Sequence, residues 1–262
     1  MTSKVVVITG CSKGGIGWAL CEEWNRRGHK VFAASRSLAK MQGLSQGITS
    51  VELDVNSEAS VKAGVAKIIR QVGKIDVCIN NAGQGYVAPL IKVGPVELRK
   101  TFNRSGTIVN IGSIVAYVPT PWAGVYCATK AAVHSLSDTL RMELRGFGIK
   151  VVCVAPGAIR SAIGASNDKR TVLSPGSVYS NLEAFVRSRG SWSQNPLSTT
   201  AEELASSIVD AALSKSPPRY LSYGYRSTSA KLSYYLPTSL KEYFWGTQFG
   251  IDQVGTSDNS HM

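Results

Sequence analysis

Apolar runs rich in valine and isoleucine recur along the chain at 5–9, 30–35, 50–54, 75–80, 107–112 and 150–155. Few of their positions alternate with polar residues, as expected of strands buried on both faces. Amphipathic stretches separate them. The first, 15–27, carries Ile16, Leu20 and Trp24 at i, i+4 and i+8, and Gly28 follows as a helix C-cap. Strands alternating with helices predict an α/β fold with a doubly wound parallel sheet covered on both faces. Two further amphipathic helices are predicted, at 125–145 and at 201–214, the latter headed by the N-cap candidates Ser198-Thr199-Thr200.

Composition narrows the class. With 262 residues and 44% hydrophobic composition, the chain can bury one substantial core, so a single large domain is expected. The formal net charge of +12 would suit nucleic acid, an anionic surface or phosphorylated ligands. Its bases are dispersed, with only short pairs such as Arg26-Arg27, which argues against nucleic acid and leaves a binding module as the rival from outside the enzymes. Five cysteines in no CxxC pair suit a reduced, cytoplasmic setting and predict neither a disulfide frame nor a metal site. Met1 runs almost directly into a strand pattern and no window is apolar enough to span a bilayer, so neither a targeting peptide nor a membrane span is expected.

Chemistry enters with TGCSKGGIG, residues 9–17, where a strand turns into a helix. Gly10, Gly15 and Gly17 would let backbone N–H groups approach a pyrophosphate at the positive helix end, although such a turn also closes purely structural loops. The second strand discriminates among nucleotides, because its C-terminal end meets the adenosine ribose. It reads Ala33-Ala34-Ser35-Arg36. Ser35 leaves out the acidic residue that would repel a 2′-phosphate, Arg36 supplies a planar donor, and Lys13 adds a second positive charge. Solvated surface bases are the alternative reading of both. Together they favour NADPH/NADP+ over NADH. Asp54, ending the third strand, is placed to accept from an adenine amino group, and Asn81 lies at the end of the fourth; ordinary turn chemistry would also place either there.

Tyr126 and Lys130 stand at i, i+4 and share a helix face, while Ser113 follows the fifth strand. A tyrosine with an ordinary pKa near 10 is a poor acid–base group at neutral pH unless a nearby cation favours its phenolate. Lys130 would supply that charge, Tyr126 would protonate a forming alkoxide, and Ser113 would hydrogen-bond the carbonyl oxygen.

With the glycine loop, Leu53-Asp54-Val55, Asn80-Asn81-Ala82-Gly83, Ser113, Tyr126-Cys-Ala-Thr-Lys130 and Pro156-Gly157 with Ser161, the sequence resembles the short-chain dehydrogenase/reductase family across nearly its whole length. More narrowly it resembles fungal NADPH-dependent 1-acyldihydroxyacetone phosphate reductase-like members, many relatives of which act in secondary metabolism. The resemblance implies a Rossmann fold over 1–262. It implies catalysis by Ser113, Tyr126 and Lys130, with Lys130 also on the nicotinamide ribose. Gly10, Lys13, Gly15, Ile16, Gly17, Ser35, Arg36, Asp54, Asn81, Tyr126 and Lys130 would line the nucleotide site. Ile159 and Ser161 would contact the carboxamide. The expected activity is interconversion of a ketone and a secondary alcohol on a lipid-like or secondary-metabolite substrate. The alternatives are a redox-inactive relative acting as an isomerase or cyclase, and an NADPH-binding scaffold.

Two regions depart from or extend the pattern. Only residues 81–106 separate the fourth and fifth predicted strands, with one helical patch at 95–103 that would be about 14 Å long. Family members carry a longer segment here, with a fourth catalytic asparagine and much of the usual dimer interface. The crossover is therefore shortened and a homo-oligomer is doubtful. Either an internal segment was lost in the gene sequence or the variant is genuinely short; the first is favoured because a missing helix would uncover apolar sheet. Residues 162–200 are expected to form a substrate lid. The aromatic-rich 218–250, with Lys231 and Lys241, would wall a pocket, pack on the sheet, or rest peripherally on a lipid surface such as endoplasmic reticulum or a lipid droplet. Residues 255–262 are expected to be disordered.

Overall fold

All five residues of β1 (Val5–Thr9) are buried, as a run without polar alternation requires. In the computed structural model, which describes residues 2–82, 106–162, 177 and 179–254, this strand lies inside a seven-stranded sheet. The others are β2 (Lys30–Ser35), β3 (Ile48–Glu52), β4 (Val77–Asn80), β5 (Gly106–Ile111), β6 (Ile149–Pro156) and, after the two-residue strands β7 (Ile159–Arg160) and β8 (Thr199–Thr200), β9 (Tyr220–Tyr223). Their order is β3-β2-β1-β4-β5-β6-β9, and every neighbouring pair is parallel. The chain winds outward from β1 to β3 and then returns to β4 on the other side of β1. That reversal opens a crevice at the C-terminal ends of the strands, where α/β sheets of this kind hold their ligands.

Helices cover both faces. On one, α1 (Ile16–Arg26) and α5 (Ala201–Leu213) pack Leu20, Trp24, Leu204 and Ile208 against Ile8, Ile79, Val109 and Val152. On the other, α2 (Glu58–Val72) and α3 (Gly124–Leu144) bring Ile68 and Leu144 to Val7, Phe32, Ile108 and Val151. Between them in the chain, α4 (Glu183–Ser191) precedes α5, and α6 (Ser227–Ser233) and α7 (Thr238–Gln248) follow β9. Thr200 and Glu203 form a reciprocal capping box at the start of α5. Arg27, just past α1, bonds both Glu23 and Asp210 and so ties α1 to α5. All five cysteines are free thiols, and no described helix is long and apolar enough to cross a membrane.

The two faces are unequally closed. In β4, Val77 and Ile79 are buried on the α1/α5 face, whereas Cys78 and Asn80, pointing the other way, are half-buried. The apolar residues Val61, Val65 and Ile69 of α2 and Leu136 and Leu140 of α3 are half-buried too.

The doubly wound sheet expected from the sequence is present. β3 begins and ends two residues earlier than the predicted strand, and the seventh strand was not foreseen. Its Tyr-Leu-Ser-Tyr residues are half-buried or exposed at a sheet edge, so they lack the apolar run of the inner strands. The aromatic-rich 218–250 divides into β9, α6 and α7, which leave Leu232, Tyr235, Tyr243 and Phe244 exposed. Of the expected lid, residues 163–176 and 178 lie outside the described residues, as do the helical patch at 95–103 and the tail at 255–262; the rest of the lid contains α4 and β8.

Candidate active site

Where β1 ends, the chain turns through Gly10 at φ +75°, a conformation that suits glycine. A Cβ on Gly17 would fall 2.5 Å from both Asn81 Nδ2 and the Gly10 carbonyl oxygen, so α1 meets the loop too closely for a side chain. Asn81 braces this arrangement. Its amide donates to the Thr9 carbonyl at 2.9 Å and the Gly10 carbonyl at 3.1 Å, and its backbone N–H donates to Thr9 Oγ1 at 3.2 Å. With the amide hydrogens committed, Asn81 holds the loop and leaves only its Oδ1 for a ligand.

The predicted nucleotide residues lie along the crevice. Gly15 is the N-cap of α1, and Ile16 and Gly17 form its first turn. Ser35 is buried at the end of β2, while Arg36 and Lys13 are exposed and their side chains bond no described residue. The Lys13 backbone N–H donates to the Lys40 carbonyl at 3.0 Å, which ties the glycine loop to the turn after β2. Asp54, just past β3, accepts the Asn56 N–H at 3.0 Å on Oδ1, a turn contact that leaves its second oxygen free. The Ala162 N–H donates to the Gly14 carbonyl at 3.0 Å, bringing the segment after Ile159 and Ser161 onto the glycine loop. A glycine loop too tightly packed at Gly10 and Gly17 for side chains, with exposed Lys13 and Arg36 and no acid at the end of β2, has the donor set for a dinucleotide bearing an extra phosphate.

Ser113, Tyr126 and Lys130 come together beside the end of β5. Lys130 Nζ donates to the Ile111 carbonyl at 2.8 Å and lies 5.8 Å from the centroid of the Tyr126 ring. Burial pulls the Lys130 ammonium down to about 8. Desolvation pushes Tyr126 above its ordinary value, a hydrogen bond from Ser113 and the positive charge of Arg189 work against that push, and Cys127 adds to it. Tyr126 is still 39% exposed, so solvent reaches it and the upward push is weaker than full burial would give.

Two residues of the site were not foreseen in these roles. His134 continues the face of α3 at i+4 from Lys130 and i+8 from Tyr126, a spacing that marks it in the sequence. Burial holds it neutral, down to about 4, so its Nε2 can accept the Ser113 N–H at 3.4 Å. A Cβ on Gly112 would meet that same Nε2 at 2.4 Å and the Val154 carbonyl oxygen at 2.9 Å. Gly112→Ala should therefore displace His134 or β5, lowering stability by about 1–3 kcal/mol and kcat with it. Urea unfolding and turnover check this, and an unchanged midpoint with unchanged kcat would refute it. The other residue is Arg189 of α4. It reaches the site from about sixty residues beyond Tyr126 (a separation that no local periodicity reveals), and donates Nε–H to Thr120 Oγ1 at 2.9 Å.

Comparison with known proteins gives a consistent group. The profile of the short chain dehydrogenase family matches residues 4–105 and 100–171, two stretches that meet at the short crossover. Short-chain dehydrogenase PC-15 of Penicillium crustosum is 32% identical over 278 aligned positions, covering 98% of this chain and 100% of the relative. That alignment is longer than the 262-residue chain, so this chain carries gaps against it. The NADPH-dependent 1-acyldihydroxyacetone phosphate reductase of Schizosaccharomyces pombe is 36% identical over 182 positions, 61% of each chain. Among solved structures, a short-chain dehydrogenase from Streptomyces avermitilis superposes with a TM-score of 0.72 at 23% identity, covering 94% of this chain and 97% of the other.

Proposed function

The chain belongs to the short-chain dehydrogenase family, and from that premise we propose that it is an NADPH-dependent oxidoreductase interconverting a ketone and a secondary alcohol on a lipid-like or secondary-metabolite substrate. The observation that carries this reading is the convergence of Ser113, Tyr126 and Lys130 beside β5, at the same sheet edge as the glycine loop. When bound, the dihydronicotinamide supplies a hydride to the carbonyl carbon. Ser113 donates a hydrogen bond to the carbonyl oxygen and fixes its position. Tyr126 gives its phenolic proton to that oxygen as negative charge develops there, completing the alcohol. Lys130 anchors to the Ile111 carbonyl and, while protonated, favours the phenolate that Tyr126 leaves behind.

The backbone of Gly10, Gly15, Ile16 and Gly17 would hold the pyrophosphate, and Lys13, Ser35 and Arg36 the 2′-phosphate. Asp54 and the Asn81 Oδ1 would take the adenosine half, and Ile159 and Ser161 the carboxamide. The Schizosaccharomyces pombe relative supports both the choice of NADPH and a ketone substrate of lipid type.

Arg36→Asp replaces an exposed, unpaired donor by a repelling charge. A charge-assisted bond to phosphate contributes about 1.5–3 kcal/mol, so the KM for NADPH should rise at least about tenfold while that for NADH changes little. Equal effects on the two would undo the cofactor assignment. The function itself is tested by following NADPH absorbance against acyl-dihydroxyacetone phosphate, steroid-like and polyketide ketones. Nucleotide binding without turnover on any of them would favour a redox-inactive relative.

A further inference from the structure

Most arginines with a described side-chain partner in this protein are paired with acids. Arg26 and Arg27 bond Glu23, Arg141 bonds Asp138, and in α4 itself Arg187 bonds Glu183 at 2.8 and 2.6 Å. Arg189, two residues further along the same helix, bonds no acid among the described residues. Its Nε is held by Thr120, its guanidinium lies over the rings of Trp192 and Phe249 at 5.5 and 6.0 Å, and its two Nη groups bond no described residue. A half-buried guanidinium without an acid is disfavoured, and burial lowers its pKa accordingly. Its charge nevertheless reaches Tyr126.

A second arginine approaches the same indole. Arg226 lies with its guanidinium 5.0 Å from the Trp192 centroid and 5.4 Å from that of Tyr225, and it too has no acidic partner among the described residues. Its backbone is left-handed, at φ +63°, which a side chain other than glycine adopts at a cost. That backbone brings the side chain to a cavity of about 270 Å³. Val115, Val118, Thr120, Trp192 and Trp245 also line it. The cavity therefore adjoins the short turn that begins at Ser113 and includes the threonine that holds Arg189.

We propose that this cavity receives the anionic end of the substrate. Arg226 lines the cavity, and Arg189, held beside it by the lining residue Thr120, offers its free Nη edge to a carboxylate or phosphate carried by the ketone. The substrate class is then an anionic ketone whose apolar body rests on Trp192 and Trp245. This deepens the reductase reading and rests on it for the placement of the carbonyl.

The test compares a β-keto acid, its methyl ester and dihydroxyacetone phosphate as substrates. Wild-type kcat/KM should favour both anions over the ester. Arg189→Gln should lower kcat/KM for the anions by about 10–100-fold more than for the ester, mainly through KM, the loss on the ester reading the part of the effect that passes through Tyr126. Arg189→Lys should recover part of the loss, and Arg226→Gln, at an exposed position, should give a smaller loss in the same direction. Equal loss on acid and ester, with a displaced pH profile, would overturn the proposal and place Arg189 on Tyr126 alone. Calorimetric titration of phenyl phosphate into the NADP+-loaded protein reads the same site without turnover. Binding that disappears in Arg189→Gln supports the proposal even if no ketone is reduced, which would defeat only the reductase reading. Absence of phenyl phosphate binding by the wild type overturns the proposal.

Discussion

Tyr126→Phe is expected to lower kcat by about 10²–10⁴-fold while leaving NADPH binding nearly unchanged. The substitution removes one oxygen and keeps the ring, so the packing of α3 and the 5.8 Å contact with Lys130 lose little. The proton source for the forming alcohol is lost. Ser113 cannot substitute, because it serves as a hydrogen-bond donor to the same oxygen, and the neutral His134 beside it already accepts from its backbone N–H. Nucleotide titration followed by fluorescence, beside steady-state turnover, separates binding from chemistry. Undiminished turnover in the variant would reject Tyr126 as the acid.

How much of this site can be read from sequence depends on how local each signal is. The inner strands were legible because burial on both faces leaves an apolar run, and β1 and β2 coincide with those runs. β9 was not, because an edge strand with half-exposed tyrosines carries no such run. Tyr126 and Lys130 were legible from a four-residue spacing on one helix, and the same spacing continues to His134, whose function appears only when the turn after β5 is seen to bring the Ser113 N–H to it. Asn81 was placed in the site, yet its amide turns back to the glycine loop, a contact set by the pairing of β1 with β4. Arg187 stands at i+4 from Glu183, the spacing of a helical ion pair, whereas nothing local marks Arg189. Only the fold shows that Arg189 turns toward Thr120 and Trp192.

Inserting the corresponding crossover segment of a relative such as PC-15 after Asn103 is expected to stabilise the protein by several kcal/mol. Cys78 and Asn80 of β4 are half-buried on the α2/α3 face, and Val61, Val65, Ile69, Leu136 and Leu140 of the two flanking helices are half-buried as well. A right-handed parallel crossover from β4 to β5 places its helix on that face, between α2 and α3, and the family profile breaks at this crossover. Covering several hundred Å² of apolar surface at roughly 25 cal/mol per Å² gives several kcal/mol, comparable to the whole stability of many domains. For a chain of this length each kcal/mol moves Tm by about 2–4 °C, so the restored protein should unfold about ten degrees higher and show less binding of a hydrophobic dye. Turnover should rise with it, because Ser113 directly follows β5, whose alignment with α3 depends on the same face. A 262-residue chain that already unfolds cooperatively, binds no dye and reduces ketones at the rate of the restored protein would establish the short crossover as a complete solution to covering the sheet.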